Sequence, residues 1–156
     1  SSLLQRLSTP PNQRIDLSTS PDIYNQTSPA DMGALLDDIY QCSLTGGGTF
    51  AAVFPGQITQ SECLQMIDLL IKNMTPQLIK AGIPEGTRVA HKHGWLIETD
   101  GYIHHMSDAA IVFTPGGNYI LTIYLYHPVQ LIFDPVNLMV AQLSTAVYNY
   151  YNQVNP

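Results

Sequence analysis

Positive charge and long hydrophobic runs are both scarce in this sequence. Lysine and arginine together number 6, against 12 aspartate and glutamate residues, and the formal net charge is -6. Because a protein that binds a nucleic-acid backbone needs clustered cations, this composition argues against a nucleic-acid partner. The best candidate for a membrane span, residues 111–126, is interrupted by Pro115-Gly116-Gly117. It is also shorter than the roughly 18 apolar residues that such a span needs.

Cysteine is also scarce, since the sequence contains only Cys42 and Cys63. Their spacing matches no zinc-binding pattern, and neither belongs to a Cys-x-x-Cys pair. The favoured interpretation is that both are small buried residues. The alternative is a disulfide between neighbouring helices, which would require a secreted protein.

The sequence does contain ample material for a hydrophobic core. Hydrophobic residues make up 45% of the 156 positions and charged residues 12%, which excludes a disordered chain. Residues 1–28 are rich in Ser, Thr, Pro and Asn, and their scattered apolar residues predict an ordered loop. Residues 29–82 predict helices, and residues 83–156 predict strands that are followed by a long helix.

Two helix starts are marked in the sequence. Ser28 can cap a helix whose first position is Pro29 and whose first turn contains Asp31. A second helix follows, with Thr59 or Ser61 as its cap.

The second half of the chain predicts three strands. The strands are expected at residues 87–97, 102–113 and 119–126. A short helical turn at 76–80 precedes them, a hairpin turn at 115–118 joins the last two, and a helix over 135–152 follows. Because short turns join consecutive strands, the sheet should be an antiparallel meander with the last helix on one face. The order of elements predicts an α+β fold.

The first strand contains an unusual pair, Lys92 and Gly94. A lysine within a hydrophobic strand is uncommon because desolvating its charge is costly, although at a sheet edge it can simply reach solvent. A glycine in a strand often marks the close approach of a ligand to the backbone. A cation beside an open backbone edge therefore suits an anionic ligand.

Lys92-His93-Gly94 resembles the Lys-Thr-Gly or Lys-Ser-Gly motif of the penicillin-recognising serine enzymes. Residues 78–87 resemble the short helix that leads into that strand, and residues 25–32 resemble the end of the omega loop and the helix after it. Residues 107–112 and the Gly-Gly hairpin that follows resemble the next two sheet strands. From about residue 10 onward, the chain thus resembles the C-terminal portion of a class A β-lactamase-related serine hydrolase. The histidine at the motif's second position indicates a subgroup rather than a typical resistance enzyme.

The resemblance implies antiparallel strands flanked by helices, as in the serine β-lactamase and penicillin-binding fold. It assigns residues 1–28 to an omega-loop-like segment, residues 29–82 to the all-α part, and residues 83–156 to the α/β part. It implies acyl transfer to a serine, with β-lactams or D-Ala-D-Ala-like peptides as substrates. No cofactor is implied, and proteins of this kind work outside the cytoplasm, in the periplasm, in the cell envelope or as secreted proteins.

The resemblance also assigns roles to four residues. Lys92 would be catalytic, supplying positive potential and attracting the substrate carboxylate. His93 would bind that carboxylate where the family has a hydroxyl, and Gly94 would leave room for the substrate. The backbone N–H of Trp95 would be catalytic as one donor of the oxyanion hole.

Three departures from the family pattern matter. The chain contains no Ser-x-x-Lys, so we expect the nucleophile, its lysine and the Ser-Asp-Asn loop to precede Ser1. The first glutamate is Glu62, beyond the segment that carries the deacylating Glu in typical class A enzymes. No arginine lies on the strands that follow Lys92, although the family usually places one near the substrate carboxylate. The chain alone should therefore be inactive, and the missing N-terminal half is its expected partner.

Two other functions compete with this interpretation. The first is a non-catalytic binding module of the same fold. The second is a histidine-based metal site, since His91, His93, His104 and His105 lie on or beside adjacent predicted strands. No cysteine lies near these histidines, and Lys92 fits the other explanation, so no bound metal is predicted. Asp108 is expected to fix backbone groups or a histidine within the sheet.

Overall fold

The computed structural model describes residues 27–73, 75–98 and 100–153. The elements are α1 (Pro29–Thr45), α2 (Thr49–Val53), α3 (Gln60–Ile71), a 3-10 turn (Lys80–Gly82), β1 (Arg88–Trp95), β2 (His105–Phe113), β3 (Tyr119–Tyr126) and α4 (Phe133–Tyr151). The predicted omega-loop-like segment lies almost entirely outside the described residues. Within the described ranges, no helix is both long enough and apolar enough to cross a membrane.

Reciprocal capping at its first turn explains where α1 begins. The N–H of Asp31 donates to Ser28 Oγ at 3.1 Å, and the N–H of Ser28 donates to Asp31 Oδ2 at 3.2 Å. Pro29 occupies the first turn, where its missing N–H costs nothing. This start is as the sequence predicts.

The cysteines correct the favoured interpretation of two buried thiols. Cys42 of α1 and Cys63 of α3 form a disulfide. The two helices pack side by side, which brings both side chains to the same buried interface. The sequence analysis left this pairing open because spacing alone cannot show which helix faces meet.

The three strands form an antiparallel sheet in the order β1-β2-β3, which confirms the α+β meander. β1 is an edge strand, and Lys92 lies opposite Ala109 of β2. The first two strands are shorter than expected. β1 ends at Trp95, and β2 begins only at His105. Polar contacts within the connecting loop, described below, replace the ladder there.

Helices cover both faces of the sheet. One face packs against α4 and the 3-10 turn, with a core that contains Leu78, Ile79, Val89, Met106, Ala110, Val112, Tyr119, Ile123, Val136 and Val140. The other face packs against α1 and α3, with a core that contains Leu36, Ile39, Ile67, Ala90, Ala109 and Ile111. Because side chains alternate along a strand, consecutive residues of β1 point to different helical layers.

Candidate active site

The free edge of β1 carries the predicted site. Asn73 donates from Nδ2 to the carbonyl of His91 at 3.2 Å from outside the sheet, whereas Ser107 of β2 donates from Oγ to the carbonyl of Gly94 at 3.2 Å. Backbone groups of successive residues point to opposite sides of a strand. The N–H and C=O groups of His91, His93 and Trp95 therefore point away from β2, toward the free edge.

Lys92 and Gly94 lie on the face of β1 that packs against α1 and α3. Lys92 is exposed, and its Nζ donates to the carbonyl of His93 at 3.1 Å, so its ammonium lies at the free edge. A Cβ placed on Gly94 would lie 3.2 Å from Ser107 Oγ, which is a tight contact with a hydroxyl that can rotate. Packing thus disfavours a side chain at Gly94 only weakly, and no other atom of the described residues lies within 4 Å of that position.

The side chains of His93 and Trp95 lie on the opposite face. Their rings stack with centroids 4.5 Å apart, and Trp95 also contacts Phe133 of α4 with centroids 5.0 Å apart. The indole therefore packs within the protein, and only the backbone N–H of Trp95 shares the free edge with the ammonium of Lys92. The ring of His93 does reach this edge, because its Nδ1 lies 3.3 Å from Asn73 Nδ2, which contacts the strand from outside the sheet.

Several neighbours act on the charge of His93. Its partial burial lowers the pKa of the imidazole below its ordinary value, and the neighbouring side chains of Lys92 and His91 lower it further. The carboxylate of Asp108 opposes this effect. At neutral pH His93 is therefore a neutral hydrogen-bonding group rather than a cation.

A buried contact between His91 and Asp108 supports β1 on the face opposite Lys92. His91 Nδ1 lies 3.2 Å from Asp108 Oδ1, and both side chains are fully buried. Asp108 Oδ2 also accepts from the N–H of Ile79 at 3.1 Å. Asp108 thus fixes both a histidine and a backbone group, which confirms its predicted role.

A second polar cluster, which sequence reasoning missed, occupies the connection from β1 to β2. His104 lies 2.7 Å from Asp100 through Nε2, and His105 lies 2.8 Å from Glu98 through Nδ1. His104 Nδ1 also lies 3.0 Å from the carbonyl of His127. Because both ring nitrogens of His104 face acceptors, the pKa of His104 is raised above its ordinary value, chiefly by Asp100. The acidic residues of Glu98-Thr99-Asp100, a few positions before the His104-His105 pair, were the sequence signal that could have predicted these carboxylate–histidine contacts.

The histidines do not converge on a common point. Among the residues that the structure describes, no group of three histidine, cysteine or acidic side chains is arranged to hold a metal ion. His91, His104 and His105 each contact a carboxylate instead.

The sheet, its two helical layers and the Lys92-His93-Gly94 edge define the C-terminal part of the serine β-lactamase fold. The chain belongs to the Beta-lactamase enzyme family, whose sequence model matches residues 4–151. The predicted relationship to class A β-lactamases is thereby confirmed. No curated protein sequence matches the chain.

Solved structures show the same fold at low sequence identity. The TLA-3 extended-spectrum β-lactamase matches with a TM-score of 0.64 and 21% identity, over 82% of this chain and 42% of that one. A PBP-A mutant, solved as its acyl-enzyme complex with penicillin G, matches with a TM-score of 0.64 and 21% identity, over 89% and 48%. A β-lactamase from Sphaerobacter thermophilus matches with a TM-score of 0.63 and 18% identity, over 85% and 43%. The chain therefore spans less than half the length of each.

Proposed function

We propose that the intact protein is an acyl-transferring serine hydrolase that acts on β-lactams or D-Ala-D-Ala-like peptides. The observation that carries this proposal is the free edge of β1, where the ammonium of Lys92 and the outward N–H of Trp95 lie on either side of Gly94. The PBP-A relative, solved as an acyl-enzyme with penicillin G, supports the substrate class.

Each group at the edge has a chemical task. Lys92 attracts the substrate carboxylate and favours proton movement near the nucleophile, because an ammonium is a compact charge with three donors. The N–H of Trp95 donates to the oxyanion that develops when the serine attacks the acyl carbon. His93 takes the position of the hydroxyl residue that donates to the substrate carboxylate.

The nucleophile is supplied from outside these 156 residues, because the chain contains no Ser-x-x-Lys. Lys92 without a positioned serine cannot form an acyl-enzyme. The chain alone therefore turns over no chromogenic cephalosporin.

The protein functions outside the cytoplasm in this proposal. The disulfide between Cys42 and Cys63 supports this location, because disulfides persist in oxidising compartments. Detection of the oxidised form in the extracytoplasmic fraction of the native cells tests the assignment, and recovery of a reduced cytoplasmic protein contradicts it.

Mass spectrometry of the full-length protein after mixing with a penicillin tests the activity. We expect a covalent adduct in the wild type and a much slower reaction in Lys92→Ala. The matched control is Lys72→Ala, which removes an exposed lysine at the end of α3 and should react normally. Saturable penicillin binding without any adduct would instead indicate a non-catalytic binding module.

A further inference from the structure

Asn73 lies beside the proposed site and makes three side-chain contacts, two of them with β1. Its Nδ2 lies 3.2 Å from the carbonyl of His91 and 3.3 Å from His93 Nδ1. Its Oδ1 accepts from the N–H of Thr75 at 3.3 Å. Neither the family motif nor the proposed reaction assigns a role to this residue.

These contacts fix the orientation of the amide. If the amide were flipped, Oδ1 would face the carbonyl oxygen of His91, and the NH₂ group would face the N–H of Thr75. Both contacts would be repulsive, since each would pair two acceptors or two donors. One hydrogen of Nδ2 is therefore directed at His91 and the other at the ring of His93.

The tautomer of His93 follows from this orientation. Because Nδ1 faces an amide donor, it must accept, and the hydrogen of the neutral imidazole must be on Nε2. The stacked indole of Trp95 holds the plane of the ring. The lowered pKa of His93 agrees with a ring that stays neutral.

We propose that Asn73 is a positioning residue that holds His93 as a neutral Nε2–H donor for the carboxylate of the substrate. The choice of substrate rests on the proposed function, whereas the tautomer does not. With Asn73 present, the imidazole donates as the usual hydroxyl does and needs no proton from solvent. Carboxylate recognition by His93 is therefore independent of pH across the neutral range.

Nitrogen-15 NMR of the full-length protein with labelled histidine tests the tautomer directly. In the wild type, His93 should show a protonated Nε2 and an unprotonated Nδ1. Asn73→Asp places a carboxylate opposite Nδ1, which should move a hydrogen onto that nitrogen and raise the pKa of His93. Asn73→Ala should give a mixture of tautomers. A protonated Nδ1 in the wild type, or identical His93 signals in all three proteins, would overturn the inference.

Asn118→Ala is the matched control for these variants. Like Asn73, Asn118 donates from its amide nitrogen to a side chain, the hydroxyl of Tyr40, and accepts from a backbone N–H, that of Thr114. Unlike Asn73, it lies in the hairpin after β2, away from His93. Its removal should leave the His93 signals unchanged. A change as large as that in Asn73→Ala would mean that general loosening, not the specific contact, controls the ring, and would contradict the assignment.

The pH dependence of penicillin binding tests the consequence for the ligand. In Asn73→Asp, a neutral His93 would carry its hydrogen on Nδ1 and turn an acceptor toward the carboxylate. The half-saturating penicillin concentration should then rise by about tenfold as pH increases through the raised pKa, in line with about 1.4 kcal/mol per tenfold. The wild type should show no such rise, and the methyl ester of the penicillin should show none in either protein.

Parallel pH profiles for the wild type and Asn73→Asp would overturn the role in ligand binding. The expected NMR signals would in that case still support the tautomer. The adduct experiment tests acyl transfer independently of both. A protein that binds no penicillin would overturn the proposed function together with the ligand assignment, while NMR alone would still decide the tautomer.

Discussion

His91 Nδ1 lies 3.2 Å from Asp108 Oδ1, and neither side chain is exposed to solvent. The same carboxylate accepts from the N–H of Ile79, whose carbonyl accepts from Ser144 Oγ of α4 at 2.8 Å. Asp108 thereby joins β1, β2 and the segment before the 3-10 turn. Because His91 precedes Lys92, this pair also supports the strand that carries the proposed site.

Asp108→Ala should lower the free energy of unfolding by about 2–6 kcal/mol. The substitution leaves the buried ring of His91 and the N–H of Ile79 without their partner, and each buried polar group left unpaired costs about 1–3 kcal/mol. Urea denaturation of the two proteins measures the difference. Asp68→Ala, which removes an exposed carboxylate from α3, is the control and should change stability by at most about 0.5 kcal/mol. A loss below about 1 kcal/mol for Asp108→Ala would contradict the role given to the pair.

Local signals in the sequence predicted much of the fold. The capping residues Ser28 and Asp31 located the start of α1, and the Lys92-Gly94 pair located the proposed site, because both patterns lie within a few consecutive residues. The Asn73–His93 contact and the Cys42–Cys63 disulfide join positions about 20 residues apart. Such pairings depend on how α3 packs against its neighbours, which periodicity does not specify.

Reduction of the Cys42–Cys63 disulfide should destabilise the helical layer. The bond closes a loop across a sequence separation of 21 residues, and a loop near this size contributes about 3 kcal/mol by restricting the unfolded chain. Comparing denaturation with and without a reductant measures this contribution. The double variant Cys42→Ala/Cys63→Ala should show the same lower stability under both conditions. If the reductant lowered the stability of that variant by the same amount, loss of the disulfide would not explain the destabilisation.

The Asp100–His104 pair should make stability depend on pH in a defined direction. Asp100 raises the pKa of His104 above its ordinary value of 6.5. The folded state thus binds a proton that the unfolded state releases, so the contribution is complete below pH 6.5 and is lost as pH rises through the raised pKa. Asp100→Asn should remove this loss. The measurement is the difference in unfolding free energy between the two proteins at several pH values.

His93 acts in the opposite direction in the same titration. Its pKa is lowered, so its contribution is present above 6.5 and is lost as pH falls through the lowered value. Because Asp100→Asn leaves His93 in place, the difference between the two proteins isolates the pair. A constant difference across pH 6–8 would contradict the assigned shift of His104.

Gly94→Ala should impair acylation much more than it impairs stability. The added methyl group lies 3.2 Å from Ser107 Oγ, which can rotate away, and it projects from the backbone between Lys92 and the N–H of Trp95. Since displacing a substrate by about 1 Å costs on the order of 10²-fold in rate, we expect a comparable loss of acylation. Gly47→Ala is a matched control, because its methyl group would lie 3.3 Å from Thr45 Oγ1, away from the site. Equal acylation rates in both variants would place the substrate elsewhere.

In the proposed reaction, the full-length protein should acylate more readily than it deacylates. Acylation needs the nucleophile, its base and the N–H donor of Trp95, whereas deacylation also needs a base that activates water. Residues 1–28 contain no glutamate, although typical class A enzymes carry that base in the corresponding loop. General-base catalysis is typically worth about 10²–10⁴-fold, so its loss should leave a long-lived acyl-enzyme. Intact mass followed over time after mixing with a penicillin should show a persistent adduct, formed far more slowly in Lys92→Ala. Rapid multiple turnover without an accumulating adduct would show that another group supplies the base.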